Sequence, residues 1–131
     1  MLVIPNKKTE LQKKVSRNFH ASEFVCHCRT CDITLIDEEL LKRLQILRDL
    51  WGSEINITSG YRCQRHNQRT IGSAQFSYHM CGKAADIAIP KIGCKQHFIK
   101  YIDAVFPYYY EGNGFVHVDV RGLCAFNWSV G

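Results

Sequence analysis

At 131 residues, with 46% hydrophobic and 22% charged side chains, the chain has the size and composition of one domain that can bury its own core. No stretch approaches the ~18 apolar residues of a membrane helix, and Met1-Leu2-Val3-Ile4-Pro5-Asn6-Lys7-Lys8 puts its charges after a short apolar patch, the reverse of a secretory signal, so cytoplasmic synthesis is expected. The net charge of +5 suits plain solubility or attraction to an anionic polymer such as bacterial cell wall; nucleic acid is set aside, because no helix-turn-helix, phosphate loop or aromatic-basic platform is present.

In chain order, residues 1–18 read as a lysine-rich lead-in with a short helix near residues 9–15. Asp37 then caps the clearest helix. Ile36 can staple against Leu41, Leu40, Leu44, Leu47 and Trp51 recur at helical spacing, and Gly52 closes it. Ile55-Asn56-Ile57-Thr58 alternates as a strand and runs into the turn Ser59-Gly60. Residues 64–70 suit a short helix and Gly72-Ser73 a loop; residues 84–89 read as a buried strand. Lys95–Val105 is an amphipathic helix with Phe98, Ile102 and Val105 on one face. Tyr108-Tyr109-Tyr110 fits a strand edge, or the wall of a groove. In residues 115–120, Val116, Val118 and Val120 face one way while Phe115, His117 and Asp119 face the other. The sum is an α+β fold, a small, mainly antiparallel sheet with helices on one face, forming a single domain over 1–131.

Seven cysteines are many for this length, and the number is odd. Without a signal segment, reduced or metal-bound thiols come before a disulfide framework. Cys26, Cys28 and Cys31 could hold a second, structural metal with Cys63 as a distant fourth ligand. The cluster lacks the paired spacing of a zinc finger, so buried or free thiols are the preferred reading.

The chemistry concentrates in Ser77-Tyr78-His79-Met80-Cys81-Gly82-Lys83-Ala84-Ala85-Asp86 and His117-Val118-Asp119. The valines of the last strand demand a core, so His117 and Asp119 share the opposite face. Asp86 likewise points away from Ala85 and Ile87. Two neighbouring strands can therefore bring Asp86 and His117 to one point, with His79 entering from the preceding loop. Three such ligands leave a fourth tetrahedral position for water, the mark of a catalytic rather than a structural zinc. The remaining His20, His27, His66 and His97 have no partner at ligand spacing, except His27 within the cysteine cluster.

Ser59-Gly60-Tyr61-Arg62, then Ser77-x-His79-x-x-Gly82-x-Ala84-x-Asp86, then His117-x-Asp119 resembles the zinc D-Ala-D-Ala carboxypeptidase and L-alanyl-D-glutamate endopeptidase family, whose wider group includes the hedgehog fold. The likeness spans roughly residues 19–122. It implies a hedgehog/D,D-peptidase-like fold, one zinc ion held by His79, Asp86 and His117, and Arg62 and Ser77 in contact with substrate. On the residues alone, Arg62 could also be a surface arginine and Ser77 a loop cap; Gly82 permits a tight loop. The resemblance further implies hydrolysis of peptidoglycan stem peptides; a monomer is expected. The enzyme would be a D,D-carboxypeptidase, or an endolysin-type endopeptidase acting at the cell wall after release.

The departure lies in the general base. Members of the family carry Asp or Glu three residues before the last histidine, where this chain has Gly114. Glu111 is the nearest upstream acid, at the offset of a glutamate in the hedgehog branch, and is the preferred catalytic base. Asp119 is second, or else orients a metal-bound imidazole. The alternative to an enzyme is a zinc-stabilised, non-catalytic binding module of the same fold; a structural virion protein with no metal is a third.

Overall fold

The computed structural model describes residues 1–28, 30–65 and 77–121. In chain order these form β1 (Leu2–Pro5), α1 (Lys8–Leu11), β2 (Lys14–Ser16), β3 (Phe19–His20), a 3-10 turn at Ala21–Phe24, β4 (Ile33–Ile36) and α2 (Glu38–Trp51). Then come β5 (Ile57–Ser59), a 3-10 turn at Tyr78–Cys81, β6 (Ala84–Ala88), α3 (Lys95–Val105), β7 (Tyr108–Glu111) and β8 (Phe115–Asp119). The fold is α+β, as expected. The short helix anticipated over 64–70, the loop at Gly72-Ser73, His66 and Cys124 lie outside the described residues, apart from Gln64 and Arg65.

The long helices form where their end signals stand. The Asp37 side chain accepts hydrogen bonds from the backbone N–H groups of Glu39 and Leu40, and Gly52 closes α2 at φ 76°. Leu40, Leu41, Leu44 and Leu47 of α2 and Phe98, Ile102 and Val105 of α3 are buried. They meet Ala85 and Ile87 of β6 and Val116, Val118 and Val120 in one core.

That core lies against one face of an antiparallel sheet ordered β5-β6-β8-β7. Register fixes what the other face carries. Ser59 pairs with Asp86, Asp86 with His117, and His117 with Tyr110, so the four side chains form a row across the sheet. The period-two expectation for β6 and β8 holds: Ala85, Ile87, Val116 and Val118 face the core, and Asp86, His117 and Asp119 lie on the other face.

Residues 1–18 are more than a lead-in. β1 pairs antiparallel with β4, from Leu2 opposite Ile36 to Pro5 opposite Ile33, and β2 pairs with β3. Leu2, Ile4 and Val15 pack on the core while Val3 stays exposed. The partner strand of β1 is far off in sequence and its alternation is only four residues long, so no local signal announces it.

One buried ion pair ties the layers together. Lys83, 2% exposed, donates to Asp37 Oδ2, while Oδ1 of the same carboxylate caps α2. Burial opposes charge on Asp37, but the bonds from Lys83 and the helix N–H groups prevail and hold its carboxyl below the usual range. No helix among the described residues is long and apolar enough to cross a membrane.

Candidate metal centre

His79 sits in the 3-10 turn Tyr78–Cys81, whose N-terminus is capped by Ser77: its hydroxyl oxygen accepts the His79 N–H at 3.2 Å. The turn ends at Gly82 with φ 72°, where a Cβ would come within 2.5 Å of the Leu35 carbonyl oxygen. Only glycine fits so close a left-handed turn. Three residues of strand then deliver Asp86, directly opposite His117 on β8.

His79 Nε2 lies 3.2 Å and His117 Nδ1 3.1 Å from the same oxygen, Asp86 Oδ1. The far side of each ring is already engaged. His79 Nδ1 donates to the Gly60 carbonyl at 2.8 Å, and His117 Nε2 donates to Asp119 Oδ2 at 2.8 Å. A carbonyl and a carboxylate can only accept, so those outer ring nitrogens carry hydrogens, and in the neutral imidazoles that metal binding requires the inward nitrogens would present lone pairs. With both imidazoles neutral, three lone-pair atoms would converge on one point, a set that could hold a metal ion.

The separations fit zinc. Ligands at ~2.05 Å from a tetrahedral ion lie ~3.3 Å apart, close to the 3.1 and 3.2 Å observed. His79, Asp86 and His117 form one of two groups among the described residues whose ligand atoms all fall within 4.8 Å of one another.

Charge around the centre is graded. Burial disfavours ionised Asp86, but hydrogen bonds with His117 and His79 outweigh it and hold the carboxyl far below its ordinary value. Burial likewise opposes charge on Asp119, which is nevertheless lowered to about 2 by Arg121 and His117. His117 moves the other way. Burial would lower its pKa, yet Asp119 and Asp86 raise it above 6.5.

Of the residues expected at the site, the three ligands come together. Arg62 is not a surface arginine: it is 7% exposed and its guanidinium lies 3.5 Å from Asp86 Oδ2 and 3.3 Å from Ser59 Oγ. Ser77 shows the capping geometry. Asp119 is fully buried, with both oxygens taken by His117 and Arg121. It orients the imidazole and is not placed to receive a proton from water.

Glu111 lies elsewhere. It pairs in register with Val116, whose side chain is in the core, while its neighbour Tyr110 pairs with His117. By strand alternation Glu111 points to the helix side of the sheet, and it forms an ion pair with Lys95 at the start of α3. The structure therefore does not bring the expected base to the ligands. His20 stands at the N-cap of the turn at Ala21–Phe24, where its backbone N–H donates to Glu23 Oε2 at 2.7 Å.

Two residues went unrecognised in the sequence. Arg121 grips Asp119 through Nε at 2.9 Å and Nη2 at 2.6 Å and lies over the rings of Tyr78 and Tyr108. Extending the His117, Asp119 alternation by two positions would have found it. Tyr110, considered only as a general groove wall, stacks on His117 with centroids 4.7 Å apart and 19° between planes.

A sequence model of the peptidase M15 family matches residues 17–119. The chain belongs to the peptidase M15 family. No curated protein and no solved structure gives a match. This is a zinc-dependent peptidase family, and the matched region contains the candidate ligands His79, Asp86 and His117 together with Arg62, Ser77 and Asp119, while β1, α1 and β2 precede it.

Proposed function

We propose that this M15 peptidase is a zinc metallopeptidase that cleaves a peptide bond in the stem peptides of peptidoglycan, as a D,D-carboxypeptidase or an endolysin-type endopeptidase. The observation that carries the reading is the convergence of His79 Nε2 and His117 Nδ1 on Asp86 Oδ1, on the sheet face opposite the core. Zinc bound there would polarise the scissile carbonyl and bring the ionisation of water near neutral pH.

The chain's own residues supply the rest. Gly60 and Asp119 fix the two imidazole tautomers, and Arg62 steadies the second oxygen of Asp86. A guanidinium is a planar fork suited to a carboxylate. A stem-peptide carboxylate read by Arg62 would lie beside the metal ligands. Ser77 uses its oxygen to cap the turn, which leaves its O–H proton to donate to substrate backbone. Tyr110 forms the wall next to His117.

The second reading, a non-catalytic zinc-binding module, is favoured by Gly114 at the usual acidic position and by the direction of Glu111. Digestion of purified peptidoglycan by the zinc-loaded protein, followed by mass spectrometry of the muropeptides, separates the two. Loss of one terminal D-alanine, or a split between L-alanine and D-glutamate, is expected and names the bond. Stoichiometric zinc with unchanged muropeptides overturns the peptidase reading.

A further inference from the structure

The second group of converging ligand atoms is Cys26, Cys28, Cys31 and Cys63, whose Sγ atoms all lie within 4.8 Å of one another. Cys28 and Cys31 sulfurs are 3.1 Å apart, Cys26 and Cys63 3.7 Å, and Cys28 and Cys63 3.7 Å. None of these is near the ~2.05 Å of a disulfide. Four sulfurs at ~2.3 Å from a tetrahedral ion would be ~3.8 Å apart. We propose that these four cysteines bind a second, structural zinc ion as a tetrathiolate site.

Two further features fit thiolates rather than idle thiols. Hydrogen-bond donors are aimed at the sulfurs: the N–H of Cys63 at Cys26 Sγ, and the N–H and hydroxyl of Thr30 at Cys28 Sγ, each at 3.4 Å. Donors of this kind orient a metal-bound sulfur and spread its charge. The ligands also come from two segments already pressed together. Tyr61 N–H donates to the Phe24 carbonyl at 2.9 Å, and a Cβ on Gly60 would fall 2.7 Å from Phe24 Cα.

Binding would release the protons of four thiols and close the site, with no position left for water. Its effect is positional. The clamp holds the strip from Gly60 to Cys63, and that strip carries the carbonyl acceptor of His79 Nδ1 and the guanidinium beside Asp86. The proposal shares no ligand with the His79/Asp86/His117 centre and stands whether or not the protein is a peptidase.

Metal analysis of the full chain, purified under reducing conditions, tests it. Two zinc ions per chain are expected for the natural protein and one for the His79→Ala/His117→Ala variant. Cobalt loaded into that variant should show the intense sulfur-to-metal charge-transfer absorption of a thiolate site. A thiol reagent should react slowly with four of the seven cysteines until a chelator is added. Cys63→Ser should remove one zinc; should that variant fail to fold, the cobalt spectrum of the histidine variant still decides. A metal-free histidine variant overturns the proposal, as do disulfides found by peptide mapping, or iron in place of zinc. One zinc in both proteins, with a thiolate cobalt spectrum, supports this site and counts instead against the peptidase centre.

Discussion

Asp119 stands in a line of contacts that runs from Asp86 through His117 to the bidentate grip of Arg121. Replacing it with Asn keeps an acceptor for the imidazole but removes the charge. Asp119→Asn should weaken zinc binding by roughly 10–100-fold, measured by competition with a chromogenic chelator. Glu111→Gln should behave differently. Its carboxylate pairs with Lys95 on the helix side of the sheet, so the loss in kcat should stay well short of the ~100-fold expected of a general base. A larger loss, with zinc content unchanged, would return Glu111 to the reaction.

The same scale sets the pH response. In the metal-free chain the His117 pKa is raised above 6.5, so the folded state holds this proton more tightly than the unfolded state. That stabilisation is complete below about pH 6.5 and disappears as pH rises through the raised value. Zinc competes with the same proton, so its affinity climbs across the same interval. Thermal melts of chelator-treated and zinc-loaded protein over a pH series should diverge as the medium becomes more alkaline. Parallel curves would count against zinc on this imidazole. The partners on each side of His117 explain which part was legible. Period two placed Asp86 and Asp119 on its face, but not which ring nitrogen each would meet.

At the scale of elements, the turn from His79 to Asp86 depends on Gly82, which combines a left-handed φ of 72° with backbone contact to Leu35. Gly82→Ala incurs about 1–2 kcal/mol for the φ alone, and the Leu35 carbonyl cannot move as a side chain would. The variant should melt lower and bind zinc more weakly, both readable in one calorimetric titration series. The sequence identified this glycine as a tight-turn residue from its place between two ligands. It could not show that β4 is what it packs against. Helices α2 and α3 were readable because caps and periodicity are local. Cys63 was hard to tie to Cys26, Cys28 and Cys31 because only the folded Phe24–Tyr61 contact brings it near.

Across the whole molecule, core and chemistry occupy opposite faces of one sheet. The valines on one side hold in register the histidine and aspartates on the other. The N-terminal strand takes part at a distance. β1 covers the edge of β4, and β4 supplies the Leu35 backbone beneath Gly82. Deleting residues 1–5 uncovers that edge and removes Leu2 and Ile4 from the core margin. The shortened chain should lose thermal stability, and zinc affinity should fall with it. Unchanged affinity in a destabilised protein would show that β4 holds the turn unaided.

The divided carboxylate of Asp37 has a kinetic consequence. One oxygen secures the first backbone amides of a helix and the other neutralises an ammonium next to the glycine that closes the turn carrying His79. Fraying at that helix start and escape of the ion should then be a single opening event. Deuterium uptake at the Glu39 and Leu40 amides and the off-rate of zinc should share one rate constant.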